Sequence, residues 1–279
     1  MKTILRFTLL LCVAAILLVS CKKETLSAEA TVNNIPETAP AVQTAVSADV
    51  SPQIGGFYKA LPARYDSTTK KYPLLIFLHG VGETGNGSSD LSRLLVNAVP
   101  HLLNQHTFPA QFTVNGTSYS FIVINPQFKA WPQAADVNAM IDYATAHYRV
   151  DESRIYVAGL SMGGGNTWDY GIAYPNRVAA IVPICGASWP SKDQLGNIAK
   201  ANLPVWAFHN NDDGTVGVNT TISNVDNINS FNPSVMAKKT IWASGGHDAW
   251  TKATNPATRE CDGKNMYEWM LQYSRLIVK

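Results

Sequence analysis

The sequence predicts an α/β fold built on a mostly parallel central sheet flanked by helices. Short apolar runs rich in β-branched residues alternate along the chain with segments of helical character. The apolar runs are continuous, which is typical of parallel strands buried on both faces. Their alternation with helical segments favours repeated β-α units around one layered sheet. The predicted strands are 74–78, 121–124, 155–158, 178–184, 205–208 and 239–243, and the predicted helices include 136–148, 166–174 and 264–276.

The first 20 residues have the layout of a secretory signal peptide. Lys2 and Arg6 precede an apolar stretch at 7–19, which is too short to span a membrane comfortably. The stretch ends at Ser20-Cys21, which resembles the lipobox of bacterial lipoproteins, so we expect cleavage before Cys21 and attachment of lipid to it. An ordinary signal peptide with an incidental cysteine is the alternative. The prediction is an exported lipoprotein, anchored to a membrane by its lipid and facing the periplasm or the cell surface.

Residues 21–50 predict a flexible tether, because they are rich in Ala, Thr, Val, Ser and Pro and lack turn-bounded periodicity. Residues 51–279 then form one folded domain of about 230 residues, a length that suits one sizeable core better than two. The chain carries 22 Lys and Arg against 20 Asp and Glu, a net charge of +2. With no basic stripe, the charge pattern gives no reason to expect nucleic acid as a partner.

The segment Gly159-Leu160-Ser161-Met162-Gly163 predicts a serine nucleophile on a sharp turn from strand to helix. The apolar run before it has the character of a buried strand, and the segment after it is compatible with a helix. Gly159 and Gly163 lack the side chains that such a tight turn excludes, which leaves the hydroxyl of Ser161 exposed above the sheet. Ser161 is therefore the candidate nucleophile.

A serine hydroxyl needs a histidine to take its proton and a carboxylate to orient that histidine. His247, in the glycine-rich loop after the last predicted strand, is the preferred base, and His209, at the end of the strand before it, is the competitor. Asp213, in the polar loop that follows His209, is the preferred acid, with Asp212 in reserve. The less favoured candidates are His101, His106, His147, Asp169 and Asp248.

Acyl transfer also needs backbone amides that stabilise a developing oxyanion. The amide of Met162 is one candidate donor, because it lies at the amino end of the predicted helix, where the helix dipole favours negative charge. The glycine-rich loop at 79–87 supplies Val81 as the candidate second donor, with Gly82 as the alternative. This loop lacks the Lys followed by Ser or Thr of a phosphate-binding P-loop. His79 is expected to have a structural role.

Four motifs resemble those of the α/β-hydrolase superfamily: LHGVGE at 78–83, NPQ at 125–127 with Trp131 after it, GLSMGG at 159–164 and GHDAW at 246–250. Within that superfamily they are similar to secreted esterases related to carbohydrate esterase family one, feruloyl esterases and polyhydroxybutyrate depolymerases. The resemblance covers most of the chain from about Ile54 onward. It implies an α/β-hydrolase domain with ester-hydrolysing activity.

Carried over position by position, the resemblance implies Ser161 as nucleophile, Asp213 as acid and His247 as base. It also implies the amides of Val81 and Met162 as the oxyanion hole. The sequence departs from the family pattern in two places. It has His209-Asn210 where many relatives have His-Gly, and residues 253–264 look like an insertion before the final helix.

Cys185 and Cys261 are the two cysteines expected in the folded domain once the signal is removed and Cys21 is lipidated. We expect their two loops to lie at the same edge of the sheet, where an oxidising compartment would allow a disulfide between them; two free thiols are the alternative. No Cys/His cluster has zinc spacing, and residues 211–214 lack the ligand pattern of a calcium loop. The sequence predicts no metal and no cofactor.

Trp131, Trp189 and Trp250 fall in predicted loops at the edge of the sheet that carries the candidate residues. Their aromatic faces suit stacking on a sugar ring or an aromatic acyl group, and a packing role is the alternative for each. By analogy with the family, the hypothesis is an esterase that removes acetyl or feruloyl groups from polysaccharides. The alternatives are a serine peptidase of the same fold and a non-catalytic binding lipoprotein on a hydrolase scaffold.

Overall fold

Residues 35–275, the part of the chain that the computed structural model describes, form a central sheet of eight strands and a separate hairpin of two. The signal segment at 1–20, Cys21 and the start of the expected tether lie outside the described residues. The strands in chain order are β1 (Val42–Ser51), β2 (Ile54–Leu61), β3 (Tyr72–Leu78), β4 (Phe112–Val114), β5 (Thr117–Tyr119), β6 (Ile122–Phe128), β7 (Val150–Leu160), β8 (Ala180–Ile184), β9 (Trp206–Asn210) and β10 (Lys238–Trp242).

The central sheet has the order β1-β2-β6-β3-β7-β8-β9-β10. β2 pairs in antiparallel fashion with β1 on one side and with β6 on the other, whereas the six strands β6, β3, β7, β8, β9 and β10 run parallel. The carboxyl ends of these six strands therefore meet at one edge of the sheet. The loops that leave this edge carry the residues from which the sequence predicts a site. The mostly parallel sheet predicted from the sequence is confirmed.

Seven α-helices accompany the sheet in the described residues. They are α1 (Ala98–Asn104), α2 (Ala134–His147), α3 (Met162–Ala173), α4 (Lys192–Lys200), α5 (Asn219–Asn229), α6 (Trp250–Thr254) and α7 (Met266–Met270). Short 3-10 turns add Tyr65–Ser67, Val81–Glu83 and Leu91–Val96. None of the helices between residues 35 and 275 combines the length and the apolar character needed to cross a membrane.

The hydrophobic core consists of two layers, one on each face of the sheet. Side chains alternate between faces along a strand, so Leu75 and Phe77 of β3 belong to one layer while Ile76 and Leu78 belong to the other. The first layer packs against α1, α6 and α7, and the second packs against α2, α3, α4 and α5. β3 is buried along its whole length, as expected for a central parallel strand.

The expected boundary of the folded domain at residue 51 is wrong. Residues 42–50 belong to β1, which pairs with β2 from Val42 opposite Leu61 to Ser51 opposite Ile54. The polar and apolar residues of this segment alternate because β1 is an edge strand with one face toward the core. Its inward side chains Val46, Ala48 and Val50 pack against the layer that contains α2. The part of the predicted tether from 42 onward is therefore part of the sheet.

The predicted final helix is also shorter than expected. The sequence predicts a helix over 264–276, whereas α7 covers Met266–Met270 and turns follow it. Asn265 begins the helix by accepting hydrogen bonds from the amides of Tyr267 and Glu268.

Cys185 and Cys261 are both free, and their expected placement at one edge of the sheet is wrong. Cys185 directly follows β8 and lies at the carboxyl edge of the parallel strands. Cys261 accepts a hydrogen bond at 2.8 Å from Nζ of Lys238, the first residue of β10, which places it at the opposite edge. The segment 253–264 runs across the sheet rather than staying beside His247, and this separates the two sulfurs.

Candidate active site

Ser161 stands on the sharp turn between β7 and α3, with backbone angles φ 52° and ψ −114°. This left-handed conformation is rare for a residue with a side chain, and it is held from two sides. The amide of Ser161 donates to the Ile184 carbonyl at 2.9 Å, and its carbonyl accepts from the Ala187 amide at 3.1 Å. A Cβ on Gly163 would lie 2.2 Å from the Leu78 carbonyl oxygen, so only glycine allows the turn to sit this close to β3.

The structure brings Ser161, His247 and Asp213 into one hydrogen-bonded chain. His247 Nε2 lies 2.8 Å from Ser161 Oγ, and His247 Nδ1 lies 2.7 Å from Asp213 Oδ2. Asp213 has no acidic proton to share when ionised, so Nδ1 carries the proton and Nε2 is free to accept one. The three residues come from the loops after β7, β9 and β10, which meet because these strands are parallel.

The carboxylate of Asp213 is fixed by the loop that carries it. Its Oδ1 accepts hydrogen bonds from the amides of Thr215 at 2.8 Å and Val216 at 2.9 Å. Burial raises the pKa of Asp213, but the hydrogen bonds from His247, Val216 and Thr215 outweigh it, so the net pKa lies below the usual value. Asp213 is therefore an ionised acceptor beside the imidazole.

Asp212, the reserve acid, holds the His247 loop and not the imidazole. Its carboxylate accepts from the amides of Gly246 at 2.8 Å and Gly245 at 3.3 Å. Asn210 donates from Nδ2 to the Gly246 carbonyl at 3.0 Å. The loop after β9 thus forms hydrogen bonds with the peptide groups just before His247. Asn210 supplies one of these contacts.

His209, the competing base, is fully buried and does not contact Ser161. Its Nε2 lies 2.8 Å from the Val216 carbonyl and 3.2 Å from Asp213 Oδ2, and its Nδ1 lies 2.8 Å from Thr221 Oγ1. Because a carbonyl only accepts, Nε2 carries the proton and Nδ1 accepts from the threonine hydroxyl. Burial lowers the pKa of His209, which keeps the ring neutral. Its contact with Asp213 was not predicted; the spacing of four residues between the two was the available signal.

The remaining candidates from the sequence make local contacts. His101 and His147 each bond a nearby backbone carbonyl, of Leu95 and Tyr143 respectively. Asp248 accepts from the amide and hydroxyl of Thr251 at the start of α6. Asp169 accepts a hydrogen bond from Ser188 Oγ at 2.7 Å. His106 lies in the turn after α1, where its backbone has a positive φ.

The two candidate oxyanion donors each begin a helical turn. Met162 is the first residue of α3, and Val81 is the first residue of the 3-10 turn after β3. Amides at such positions have no partner within their own helix, so they remain free for a ligand. Gly80 lies against the nucleophile turn, since a Cβ on it would be 2.7 Å from Leu160 Cδ1 and 3.7 Å from Ser161 Cβ. Gly82, the alternative donor, is one residue further along the same turn.

His79 secures this loop, as the sequence predicts for a structural residue. Nδ1 of the buried ring donates to the Gly80 carbonyl at 2.6 Å, and Nε2 accepts from the Phe128 amide at 2.9 Å. Burial lowers the pKa of His79 to about 4, so the ring is neutral. Beside it, Glu83 is buried and bonds Asn97, and burial raises the pKa of this carboxyl. The sequence places Glu83 in this loop but does not predict its burial or its bond to Asn97.

Trp131 and Trp189 line one cleft, whereas Trp250 is not among the residues that line it and packs against His247. The cleft has a volume of about 550 Å³ and is also lined by Asp169, Ser188 and Ala187. Trp131 is 47% exposed and Trp189 is 71% exposed, so both indole faces are available. Ala187, whose amide bonds the Ser161 carbonyl, connects the cleft wall to the nucleophile turn.

Trp250 packs edge-on against the imidazole of His247, with ring centroids 5.3 Å apart and planes at 88°. It therefore restricts the ring of the candidate base. Trp131 is held through Asn166 of α3. With its amide oriented to satisfy both atoms, Asn166 accepts from Trp131 Nε1 at 3.2 Å and donates to the Pro132 carbonyl at 2.8 Å.

One group of side chains in the described residues has donors suited to a metal ion. A nitrogen of His247, an oxygen of Asp213 and the sulfur of Cys185 all lie within 4.8 Å of one another. Two of these side chains also belong to the hydrogen-bonded chain with Ser161.

Curated relatives match parts of the chain. The poly(3-hydroxyalkanoate) depolymerase C of Paucimonas lemoignei is 28% identical over 123 residues, which is 42% of this chain and 28% of that protein. The bifunctional acetylxylan esterase/xylanase XynS20E of Neocallimastix patriciarum is 26% identical over 160 residues, which is 57% of this chain and 21% of that protein. The matched region thus spans about a quarter of the length of these relatives.

A solved thermostable esterase has the same fold, with a TM-score of 0.60 and 23% identity. The match covers 85% of this chain and 64% of the esterase. The family model described as Phospholipase/Carboxylesterase matches residues 65–258, well over half of the chain. That range includes the nucleophile turn, the loop of Asp213 and the loop of His247. The chain therefore belongs to the phospholipase/carboxylesterase family of serine hydrolases, which has the α/β-hydrolase fold.

Proposed function

We propose that this protein is a serine carboxylic-ester hydrolase that releases acyl groups from polysaccharides. The observation that carries the proposal is the hydrogen-bonded chain from Ser161 Oγ through His247 to Asp213, with contacts of 2.8 and 2.7 Å. This is the arrangement that converts a serine hydroxyl into a nucleophile at neutral pH.

The reaction proceeds by acyl transfer through Ser161. His247 Nε2 takes the proton from Oγ as Oγ attacks the ester carbonyl, and Asp213 stabilises the imidazolium that forms. The amides of Met162 and Val81 hold the oxyanion. His247 then returns the proton to the leaving alcohol, and a water molecule, activated by the same imidazole, releases the acyl group from Ser161. Asp213 remains ionised throughout, in keeping with its lowered pKa.

The cleft beside the nucleophile turn supports a saccharide as the bound alcohol. The exposed indoles of Trp131 and Trp189 offer apolar faces to a sugar ring, and Asp169 and Ser188 offer hydrogen-bond partners to its hydroxyls. An acetylxylan esterase among the curated relatives is consistent with this class of substrate. Acetyl and feruloyl groups are the two acyl groups that we propose to compare first.

The test is hydrolysis of a panel of substrates by the protein and by its Ser161→Ala variant. The panel contains para-nitrophenyl acetate and butyrate, methyl ferulate, acetylated xylan and a peptide anilide. We expect ester turnover that falls by several orders of magnitude in Ser161→Ala, with an unchanged circular dichroism spectrum. Turnover of the anilide alone would replace the esterase by a peptidase. Inactivity on the whole panel, with no fluorophosphonate labelling of Ser161, would favour a binding protein.

A second comparison tests the saccharide. Trp189→Ala should raise KM for acetylated xylan by a much larger factor than KM for para-nitrophenyl acetate, because the small ester has no saccharide chain to occupy the cleft beside Trp189. Phe231→Ala is the matched control, since Phe231 is an exposed aromatic side chain that does not line the cleft. Equal effects of Trp189→Ala on both substrates would count against a role in saccharide binding.

We also propose that the protein is exported and anchored through lipid on Cys21. The apolar stretch at 7–19 followed by Ser20-Cys21 supports this proposal. Cells that express the protein should incorporate labelled palmitate into it, and Cys21→Ser should abolish the labelling. Palmitate labelling that persists in the variant would contradict the assignment.

A further inference from the structure

Cys185 is a buried thiol beside the candidate triad that the proposed acyl transfer does not use. Its side chain is inaccessible to solvent, and it follows Ile184, whose carbonyl holds the Ser161 amide. The backbone of Cys185 has a positive φ of 38° and its amide donates to the Phe208 carbonyl at 2.8 Å. The loop between β8 and α4 is thus fixed with the sulfur turned toward the triad, within 4.8 Å of a donor atom of Asp213 and of His247.

Thiolate sulfur, imidazole nitrogen and carboxylate oxygen are the three donor types that zinc takes in proteins. Zinc bonds of about 2.0 to 2.3 Å in tetrahedral geometry place neighbouring ligand atoms roughly 3.3 to 3.8 Å apart. The three donors lie within 4.8 Å of one another, so side-chain movements of about an ångström bring them to this spacing. Three protein ligands also leave a fourth position for water, as in open zinc sites.

We propose that Cys185, His247 and Asp213 form a binding site for a thiophilic divalent cation, Zn²⁺ or Cd²⁺, and that the bound ion inhibits the enzyme. The ion reaches the site from the side of His247, whose side chain is 20% exposed while that of Asp213 is fully buried. Formation of the site rests on the geometry alone. The inhibition rests in addition on the proposed function.

Binding replaces two protons at the site. The bond to sulfur displaces the thiol proton to solvent. Nδ1 of His247 is the ring nitrogen beside the Asp213 carboxylate, at 2.7 Å, and its bond to the ion requires the Nδ1 proton to leave that nitrogen. The neutral ring keeps this second proton on Nε2, so one proton is released for each ion bound. Nε2 then donates to Ser161 Oγ and no longer accepts its proton, which removes the base that acyl transfer requires.

The buried thiol makes the site weaker than a preformed thiolate site. Burial raises the pKa of Cys185 to about 12, so the ion must displace a proton from sulfur at neutral pH. A soft cation forms the stronger bond to sulfur, so Cd²⁺ is the preferred probe. Its bond to thiolate also gives an ultraviolet charge-transfer band, which reports binding without any substrate.

The experiment titrates the full-length protein with Cd²⁺ and follows both the charge-transfer band and the hydrolysis of para-nitrophenyl acetate. In the wild-type chain we expect the band to grow and the activity to fall together, and chelation with EDTA to reverse both. Sensitivity is expressed for each variant as the ratio of its activities with and without Cd²⁺. Cys185→Ala should raise the Cd²⁺ concentration that inhibits the enzyme at least about tenfold. It should also remove the part of the charge-transfer band that comes from the Cys185 thiolate.

Cys261→Ser is the matched control, because it removes the other described thiol, at the opposite edge of the sheet, and should keep the wild-type sensitivity. Ser161→Ala should bind Cd²⁺ as the wild type does without hydrolysing esters, which separates failure of the site from failure of the proposed function. His247→Ala should weaken the band even if Cys185→Ala folds poorly. A band unaffected by Cys185→Ala, or an inhibition that this variant retains in full, would overturn the proposal, and so would the absence of both signals in the wild type.

Discussion

Asp212 and Asp213 are adjacent residues whose carboxylates bond to different partners. Asp213 accepts from the imidazole of His247, whereas Asp212 accepts from the backbone amides that precede it. We expect Asp213→Asn to lower kcat by about 10⁴, because an amide at this position favours the wrong tautomer of His247. Steady-state hydrolysis of para-nitrophenyl acetate measures the effect.

Asp212→Asn is the matched control for that prediction. It keeps an acceptor oxygen of the same size near Gly245 and Gly246 and leaves the imidazole contact intact, so the loss of kcat should be far smaller. If the two variants exchanged their effects, Asp212 would be the acid and the contact of Asp213 with His247 would have no catalytic role.

The buried ring of His79 makes the stability of the fold depend on pH. His79 takes up its proton near pH 6.5 in an unfolded chain and near 4 in the fold, where burial disfavours the charged form. Below pH 6.5 the unfolded chain therefore binds more protons, and the folded state loses about 1.4 kcal/mol per pH unit until the folded pKa is reached. The total contribution is about 3 kcal/mol between pH 6.5 and 4, and none above pH 6.5.

Urea unfolding of the protein and of His79→Gln at pH 7 and at pH 5 measures this contribution. Glutamine retains an acceptor for the Phe128 amide and does not titrate, so the stability of the variant should fall less over this interval than that of the wild type. An equal fall in both proteins would mean that His79 already carries its proton in the fold.

At the scale of elements, β1 shows where the sequence pattern fails. Its residues alternate between exposed and half-buried positions, and its side chains that pack on the core, Val46, Ala48 and Val50, are small or medium-sized. Such an edge strand has a composition close to that of a linker, and only its pairing with β2 distinguishes it. The apolar parts of the central strands β3, β6, β7, β8 and β9 could be predicted, because burial on both faces makes them continuously apolar. The residues at 125–128 of β6 and at 150–154 of β7 lay outside the predicted strands.

Removal of β1 should therefore destabilise the fold. In a chain that begins at Ser51, β2 loses its pairing with the rest of β1. The hydrogen bond from Ser51 Oγ to Asp136 then starts from the free amino terminus of the chain. We expect its Tm to be lower by at least about 5 °C than that of a chain that begins at Ile35, measured by calorimetry. The exposed edge of β2 should also make it prone to associate. Equal Tm values would show that β1 adds no stability to the sheet.

At the scale of the whole molecule, the topology of the sheet explains why the candidate residues named by the motifs lie together. Parallel strands place their carboxyl ends at one edge of the sheet. Ser161, Asp213 and His247 each follow such a strand, so their loops lie at the same edge. The choice of Asp213 over Asp212 depends on the turn made by Thr215 and Val216, which composition does not define. The contact of His209 with Asp213 has only the spacing of four residues as a local signal, and the route of residues 253–264 depends on packing between distant segments.

The route of that segment leads to a prediction about the thiols of the whole domain. A disulfide needs the two Cα atoms within about 7 Å, and Cys185 and Cys261 lie at opposite edges of the sheet, the first beside His247 and the second against Lys238. The chain from Ile35 onward contains only these two cysteines. Unfolded in guanidinium without reductant, it should yield two thiols per chain with Ellman's reagent. Its Tm should also be the same with and without dithiothreitol, because no covalent link between the two edges limits the unfolded chain. A count of zero thiols would require the segment around Cys261 to lie at the carboxyl edge, against the contact of its sulfur with Lys238.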